Sequence, residues 1–509
     1  MAINSLKIKA MKTRPNTIAM LSFDDLDSFG DISRKRLVLR NESEKVIFYP
    51  AESFYMDSIP EGFIGVSDHI MEELKVTEGD LVSATFEFRS PPDSYSIIKK
   101  KIKTNQTLTK AEIDAIVHDV TNGVLNPLEK SALVYSQHFQ DYSMDEIEYF
   151  CRAIADSGET IDFPTVASDK HSLGGVPGNK VSLLIVPILA AAGLLIPKTS
   201  SRAITSASGT ADTMEALGAK VGFTTDEIIE ISKDIGGMIC WGGALNLAPA
   251  DDILIKEVEF PLGINPRSMM IASIMAKKKA FGIEMMVLDV PTGKGCKVEN
   301  IEEASILSRA FGELGRRLGI RVECGITYGN SPVGHTIGPS LEAREALGAL
   351  MNPKTASTSL IQKSCALSGI LLEMSGKAVR GEGPKLAYEI LESGKAYAKF
   401  KQMLEAQEAD PNLQPSDIEV GQYTYEYKAP SNGWIVELNN TVLTRIARAA
   451  GAPNDKFGGI HFLRKKESVK AGETIFRIHA SSEDRLKRAE GILSKEHPVT
   501  IEGMLLGRI

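Results

Sequence analysis

Between Asp169 and Glu215, two loops dense in glycine and hydroxyls flank one long apolar run, and this arrangement constrains the 509-residue chain more than any other feature. The first loop reads Asp169-Lys170-His171-Ser172-Leu173-Gly174-Gly175-Val176-Pro177-Gly178-Asn179-Lys180. The second reads Thr199-Ser200-Ser201-Arg202-Ala203-Ile204-Thr205-Ser206-Ala207-Ser208-Gly209-Thr210-Ala211-Asp212. Glycine lets backbone N–H groups close on an anion, hydroxyls donate to its oxygens, and Lys170 and Arg202 add charge. Val181 to Leu195 is too long for a strand and is expected to be a buried helix with Gly174, Gly175 and Gly178 near its N-terminus. Ala211 to Leu217, with Asp212 and Glu215, is expected to open a second helix. Helix N-termini carry unpaired N–H groups and partial positive charge, so both loops suit a single phosphate.

Hydrophobic and charged fractions of 43% and 24% are those of a globular protein with a sizeable core, and the length allows three or more domains. A net charge of −8 argues against nucleic acid as a partner, since duplex binding needs a basic face. Cys151, Cys240, Cys296, Cys324 and Cys365 are scattered without a C-x-x-C pair, which fits reduced thiols better than a disulfide frame or a zinc site. Met1 to Met20 has no apolar signal-peptide core. Val181 to Pro197 is interrupted by Pro187 and Gly193 and falls short of the roughly 20 residues of a membrane span. A cytoplasmic location without membrane attachment is expected.

The expected fold is α/β with accessory domains. Residues 1–92 alternate apolar and polar positions at Lys7–Lys12, Arg36–Arg40, Lys45–Tyr49 and Leu81–Phe88, which reads as a small β-rich domain, with a short helix entered through Gly65 to His69. Residues 93–163 carry helical patterns at Ile97–Ile102, Lys110–Asn122, Pro127–Gln140 and Met144–Ser157, with Thr109 and Ser143 as N-caps and Gly123 and Gly158 as stops. Lys99-Lys100-Lys101 reads as a solvated helix face. Residues 164–422 alternate strands such as Glu284–Val290 and Val322–Thr327 with helices such as Ile301–Leu318, the pattern of a central α/β phosphate-binding domain. Pro291-Thr292-Gly293-Lys294-Gly295 follows one of these strands and is placed to reach the site, although it lacks Walker A spacing. Residues 423–509 return to strands at Tyr423–Ala429, Trp434–Leu438, Ile460–Leu463 and Thr474–His479, followed by a helix from Asp484, an α+β domain of β-sandwich hybrid type. His461, His479 and His497 lie there and read as structural.

Lys170-His171-Ser172-x-Gly174-Gly175, Ser200-x-Arg202 and Gly209-Thr210-x-Asp212 resemble the signature of the thymidine and pyrimidine-nucleoside phosphorylase family. The stretches Trp241 to Asp252, Ala272 to Lys278 and Pro291 to Gly295 resemble the same family in the same order, most closely its long-form branch, which includes archaeal AMP phosphorylases. The resemblance implies transfer of a pentosyl group to inorganic phosphate as co-substrate, with no metal or organic cofactor, in a homodimer or higher homo-oligomer. It implies phosphate contacts at Lys170, Ser172, Gly175, Ser182, Ser200 and Thr210. Nucleoside or nucleotide contacts are implied at Ser201, Arg202, Ala203, Ile204, Thr205, Ser206, Ser273 and Lys297. Catalytic positions are implied at His171, Lys277 and Asn265. Ser273 and Lys277 are four apart on a predicted helix and share a face, although Lys277-Lys278-Lys279 taken alone reads as a surface run.

Two departures bear on the substrate. The arginine that grips a pyrimidine carbonyl in short-form relatives falls at Val258, with Lys256 nearby, and the aspartate resembling the proton donor of AMP phosphorylases falls at Asn265. An amide has no proton to give at neutral pH, whereas thymine can leave as a delocalised anion. Phosphorolysis of a pyrimidine nucleoside, thymidine giving 2-deoxyribose 1-phosphate and thymine, is therefore the expectation. AMP phosphorolysis to ribose 1,5-bisphosphate is the alternative, favoured by Ser201 to Ser206, Gly175 and Lys297. A non-catalytic nucleotide sensor predicts binding without turnover. A phosphoribosyltransferase would need a Mg²⁺-diphosphate site, for which Asp251-Asp252 is the candidate, and helix capping suits that pair as well.

Overall fold

Alternation of apolar and polar residues near the start of the chain becomes a sheet. The computed structural model describes residues 4–11, 19–29, 35–41, 45–48, 59–88, 90–203 and 206–503, and the chain divides into two compact units, Met1–Ser96 and Ile97–Ile509. The strands of the first unit are β1 (Asn4–Met11), β2 (Ala19–Leu21), β3 (Lys35–Arg40), β4 (Lys45–Phe48), β5 (Phe63–Ser67) and β6 (Leu81–Phe88), in the order β2-β5-β1-β6-β3-β4. β1 pairs parallel with β5 and antiparallel with β6. Leu6, Ile8, Ile64, Val66, Val82 and Ala84 alternate into one core, covered by α1 (Phe23–Ser28) and α2 (Asp68–Leu74). Gly65, read from sequence as a lead-in to the helix, is instead inside β5, where a Cβ would sit 2.1 Å from the Met11 sulfur.

Four helices follow: α3 (Asp93–Thr104), α4 (Lys110–Thr121), α5 (Pro127–Phe139) and α6 (Met144–Asp156). Thr109, Asn126 and Ser143 each accept from the backbone N–H three residues on, while Glu112, Glu129 and Glu146 reach back to complete capping boxes. Thr109 and Ser143 were expected as caps, and Asn126 is an addition. The solvated-face reading of Lys99-Lys100-Lys101 fails at Lys101, which is 1% exposed. Its Nζ pairs with Glu146 at 2.9 Å, donates to the Asp141 carbonyl and lies 4.3 Å from the Tyr142 ring. Three consecutive helical residues point 100° apart, so one of them is free to turn inward.

The central region holds β7 (Ala167–Ser172), α7 (Ser182–Ala191), β8 (Ile196–Ser200), α8 (Thr210–Ala216), α9 (Thr225–Ile235) and β9 (Gly237–Trp241). Next come α10 (Pro249–Leu254), a π-helical turn (Ile255–Glu259), the short α11 (Phe260–Leu262) and α12 (Arg267–Ala280). They are followed by β10 (Ile283–Thr292), α13 (Ile301–Leu318), β11 (Arg321–Tyr328), β12 (Thr336–Ile337), α14 (Pro339–Met351), α15 (Thr358–Met374), α16 (Gly383–Glu392) and α17 (Lys395–Ala406). β7 and β11 flank β10 in parallel, β8 pairs parallel with β9, and a parallel bridge from Ala167 to Leu195 joins the two sheets into β11-β10-β7-β8-β9. α7 is buried all round, as its unbroken apolar sequence requires, and its Leu183, Ile185, Val186 and Leu189 sit in the core shared with α14 to α17.

The C-terminal region contains β13 (Tyr423–Lys428), β14 (Gly433–Leu438), α18 (Asn440–Ala449), β15 (Gly459–Phe462), β16 (Ser468–Val469), β17 (Thr474–Ala480), α19 (Glu483–Leu493) and β18 (Val499–Glu502). One sheet runs β12-β15-β17-β13 and the other β16-β14-β18. β12 belongs to the central stretch of sequence yet completes a C-terminal sheet. The fold is α/β with accessory β-rich, helical and α+β parts. Among the described residues no helix is long and apolar enough to cross a membrane.

Candidate functional site

β7 and β8 are parallel neighbours, so the two loops that follow them leave from one edge of the sheet. Ser172 and Ser200 each lie five residues beyond the bridged pair Ala167 and Leu195. Beneath the loops is a buried electrostatic floor. Asp289 on β10, 0% exposed, accepts from Ser172 Oγ at 2.8 Å, Thr327 Oγ1 at 2.6 Å and Asn179 Nδ2 at 3.2 Å. It pairs with Lys363 of α15 at 3.0 Å and lies 4.0 Å from Lys170. Burial pushes the Asp289 carboxyl up, but Lys363 and Lys170 outweigh this and hold it below the usual carboxylate range. Asp169, also 0% exposed, pairs with Lys278 of α12 at 2.5 Å and lies 3.6 Å from Lys198 of β8.

Counted over these six residues, four lysines (Lys170, Lys198, Lys278, Lys363) oppose two carboxylates (Asp169, Asp289), an excess of two positive charges, with every member at most 9% exposed. Burial lowers Lys170 and Lys198 to about 8 despite the attraction of Asp289 and Asp169 respectively. His171 is held well below its usual value, first by burial and then by Lys278, Lys198, Lys170 and Lys297. It is therefore neutral at physiological pH and offers a hydrogen bond in preference to a proton.

The first loop is clamped from behind by Lys180, whose buried Nζ donates to the carbonyls of Val333 and Thr336 and pairs with Glu345 at 2.9 Å. Gly175 has φ +94°, and a Cβ there would lie 2.9 Å from the Cys296 Cα and the Lys297 nitrogen, so a side chain is excluded where this loop meets the segment after β10. Gly175 and Lys297, far apart in sequence, are thus neighbours. Ser182 opens α7 and is buried.

In the second loop Asp212 accepts from the backbone N–H groups of Ala203 and Gly209, both at 2.8 Å, and this folds the loop over the start of α8, where Thr210 stands. Arg202 lies 4.3 Å from the Trp241 ring and pairs with Glu215 at 2.5 Å. Arg448 donates to the Ser206 carbonyl at 2.9 Å. Ser200 and Ser201 are at the loop's start, with Ser200 Oγ donating to the Ser201 carbonyl. Ile204 and Thr205 lie outside the described residues.

On α12, Ser273 donates to Asp251 at 2.8 Å, and Lys277 pairs with Asp251 at 2.9 Å and Asp252 at 3.0 Å. Asp251 thus anchors both Ser273 and Lys277, and Asp252 gives Lys277 a second carboxylate. Burial lowers the Lys277 pKa, but Asp251 and Asp252 raise it further, so it stays an ammonium. The surface-run reading fails for Lys278, which is 3% exposed and reaches Asp169 and Thr199. Val258 is fully buried. Asn265 stands exposed between α11 and α12 and takes no part in the hydrogen bonds above. Lys294 is turned away to Glu437 at 2.6 Å. Sequence reasoning missed Lys198, Lys363 and Asp289. The adjacent lysines of α12 carried a signal, because they cannot all face solvent, while Lys363 carried none.

Two family models match: the helical bundle domain of a glycosyl transferase family over residues 95–158 and its a/b domain over residues 165–397. The AMP phosphorylase of Thermococcus kodakarensis is 49% identical over 89% of each chain, and that of Methanocaldococcus jannaschii is 44% identical over 99% of each. The chain belongs to this glycosyl transferase family. As a member it is a pentosyltransferase-type enzyme. Anthranilate phosphoribosyltransferase from Thermus thermophilus has the same fold over 62% of this chain and all of its own, with a TM-score of 0.52 and 20% identity. The expectation of a pyrimidine nucleoside is overturned: the family members cited above, matching nearly the full length, are named AMP phosphorylases. Weighing the departures at Val258 and Asn265 above the nucleotide-loop motif gave the wrong order.

Proposed function

We propose that the chain is an AMP phosphorylase, replacing the base of a nucleoside 5′-monophosphate by inorganic phosphate to give ribose 1,5-bisphosphate and free base. The observation that carries this reading is the floor of four buried lysines and two buried carboxylates, whose surplus of two charges a phosphate dianion balances. Lys170, Ser172, Ser200 and Thr210, with the N–H groups near Gly175 and Ser182 at the head of α7, take the attacking phosphate. Bound there, it is positioned below C1′ and its charge stabilises the oxocarbenium character that develops.

The loop from Ser201 to Ser206, with Arg202, takes the nucleotide's own phosphate, while Ser273, Lys297 and Lys277 hold the base side. His171 donates a hydrogen bond from a neutral ring. This chemistry needs no metal or organic cofactor, since inorganic phosphate is the second substrate. The test is chromatography of the products: incubated with phosphate and AMP, the protein should release adenine in step with phosphate consumption, and thymidine should give no thymine. AMP binding without adenine release would instead establish a sensor.

A further inference from the structure

A purine departs from C1′ readily once N7 is protonated, so an AMP phosphorylase needs an acid beside the base. Asn265 has no proton to give. His171 is held neutral, and Lys277 is fixed as an ammonium by two carboxylates. We infer that Glu259 is the acid that protonates the leaving base; the inference rests on the AMP phosphorylase reading.

Glu259 ends the π-helical turn, in which the Phe260 N–H donates to the Ile255 carbonyl five residues back. The extra residue rotates Glu259 off the register that α10 would otherwise impose, a distortion frequent at functional sites. The Glu259 carbonyl accepts from the Ile264 N–H at 3.1 Å, which folds the Asn265 turn back beside it. Its carboxyl Oε1 is buried without a hydrogen-bond partner, and so is Oδ1 of the nearby Asp251. The same Asp251 binds Ser273 and Lys277 through its other oxygen. Glu259 thus belongs to the group that includes the base-side residues Ser273, Lys277 and Lys297.

Burial first, then repulsion from Asp251, raises its carboxyl to about 7 against the pull of Lys277 and Lys297. The other charged or titratable groups on the packed elements are Asp252 on α10, Lys256 and Glu257 on its own turn, and Glu129, His138 and Lys130 of α5, the last of which pairs with Glu257. An acid with this affinity is protonated often enough near neutrality and still gives its proton up.

As the phosphate oxygen bonds to C1′, the C1′–N9 bond breaks and its electron pair goes to the base. N7 takes the Glu259 proton, and the proton shed by HPO₄²⁻ restores the acid. The decisive comparison is Glu259→Gln against wild type on AMP and on AMP methylated at N7, whose base leaves without protonation. The variant should lose AMP turnover by roughly 100-fold to 10,000-fold with KM for AMP little changed, and lose N7-methyl-AMP turnover by less than about tenfold. Glu259→Asp should restore part of the AMP rate, and at saturating phosphate wild-type AMP turnover should fall above pH 7 while turnover of the methylated substrate holds level there.

Equal losses on both substrates, or an unchanged AMP rate in Glu259→Gln, would overturn the acid while leaving the phosphorylase reading intact. Absence of adenine from wild type would overturn both.

Discussion

Asp289 is a single carboxylate on which one half of the buried floor depends, the other half being built on Asp169. It orients Ser172 and Thr327, and it is the counter-charge for Lys363 and Lys170. Asp289→Asn keeps the shape and removes the charge, leaving two buried ammoniums without compensation. Loss of one partner of a buried pair costs about 3–5 kcal/mol, so the variant should show a clearly lower denaturant midpoint and a raised KM for phosphate. Lys170 and Lys198 sit near 8 because burial disfavours their charge. Each attracts phosphate only while protonated, so kcat/KM for phosphate should fall as pH rises through about 8, and Lys170→Arg should remove much of that fall. Lys170 was legible because it stands inside a glycine and hydroxyl motif. Lys198 and Lys363 were not, because burial of a lysine is decided by what packs over it.

At the level of the element, helix starts were the most readable feature. A capping box is closed within four residues, so Thr109 with Glu112 and Ser143 with Glu146 are written locally. Thr109→Ala should cost about 1 kcal/mol in thermal unfolding. Glu146 does more than cap: it also accepts from the Leu108 N–H and pairs with the buried Lys101. Glu146→Gln should therefore cost about 3–5 kcal/mol, and adding Lys101→Met should recover part of it, which a double-mutant cycle would read directly. A simple surface pair would show no such recovery. The π-helical turn at Ile255–Glu259 had no local marker. Its extra residue is accommodated where α10, α11 and α5 pack around it, and that is tertiary information.

Across the second unit, the C-terminal region is tied into the central one. β12 pairs with β15, Asn440 donates to the Gly329 carbonyl at 2.7 Å, and Lys465 donates to the carbonyls of Pro332 and Gly334. Arg448 reaches the loop after β8 at Ser206. A chain ended at residue 422 should lose its cooperative thermal transition, since β12 would be stripped of its partner and the loop after β11 of its clamps. Survival of that transition with phosphate-dependent stabilisation would show that these ties are dispensable.

The sequence by itself determined the α/β class, the helix caps, most of the strands, and the pair of loops suited to an anion, because each is set by residues a few positions apart. Only the tertiary structure decided which charges are buried and whom they face. Asp289, Lys363, Lys278 and Glu259 come from separate elements, and a charge acquires its strength and its pKa from the water that packing removes around it.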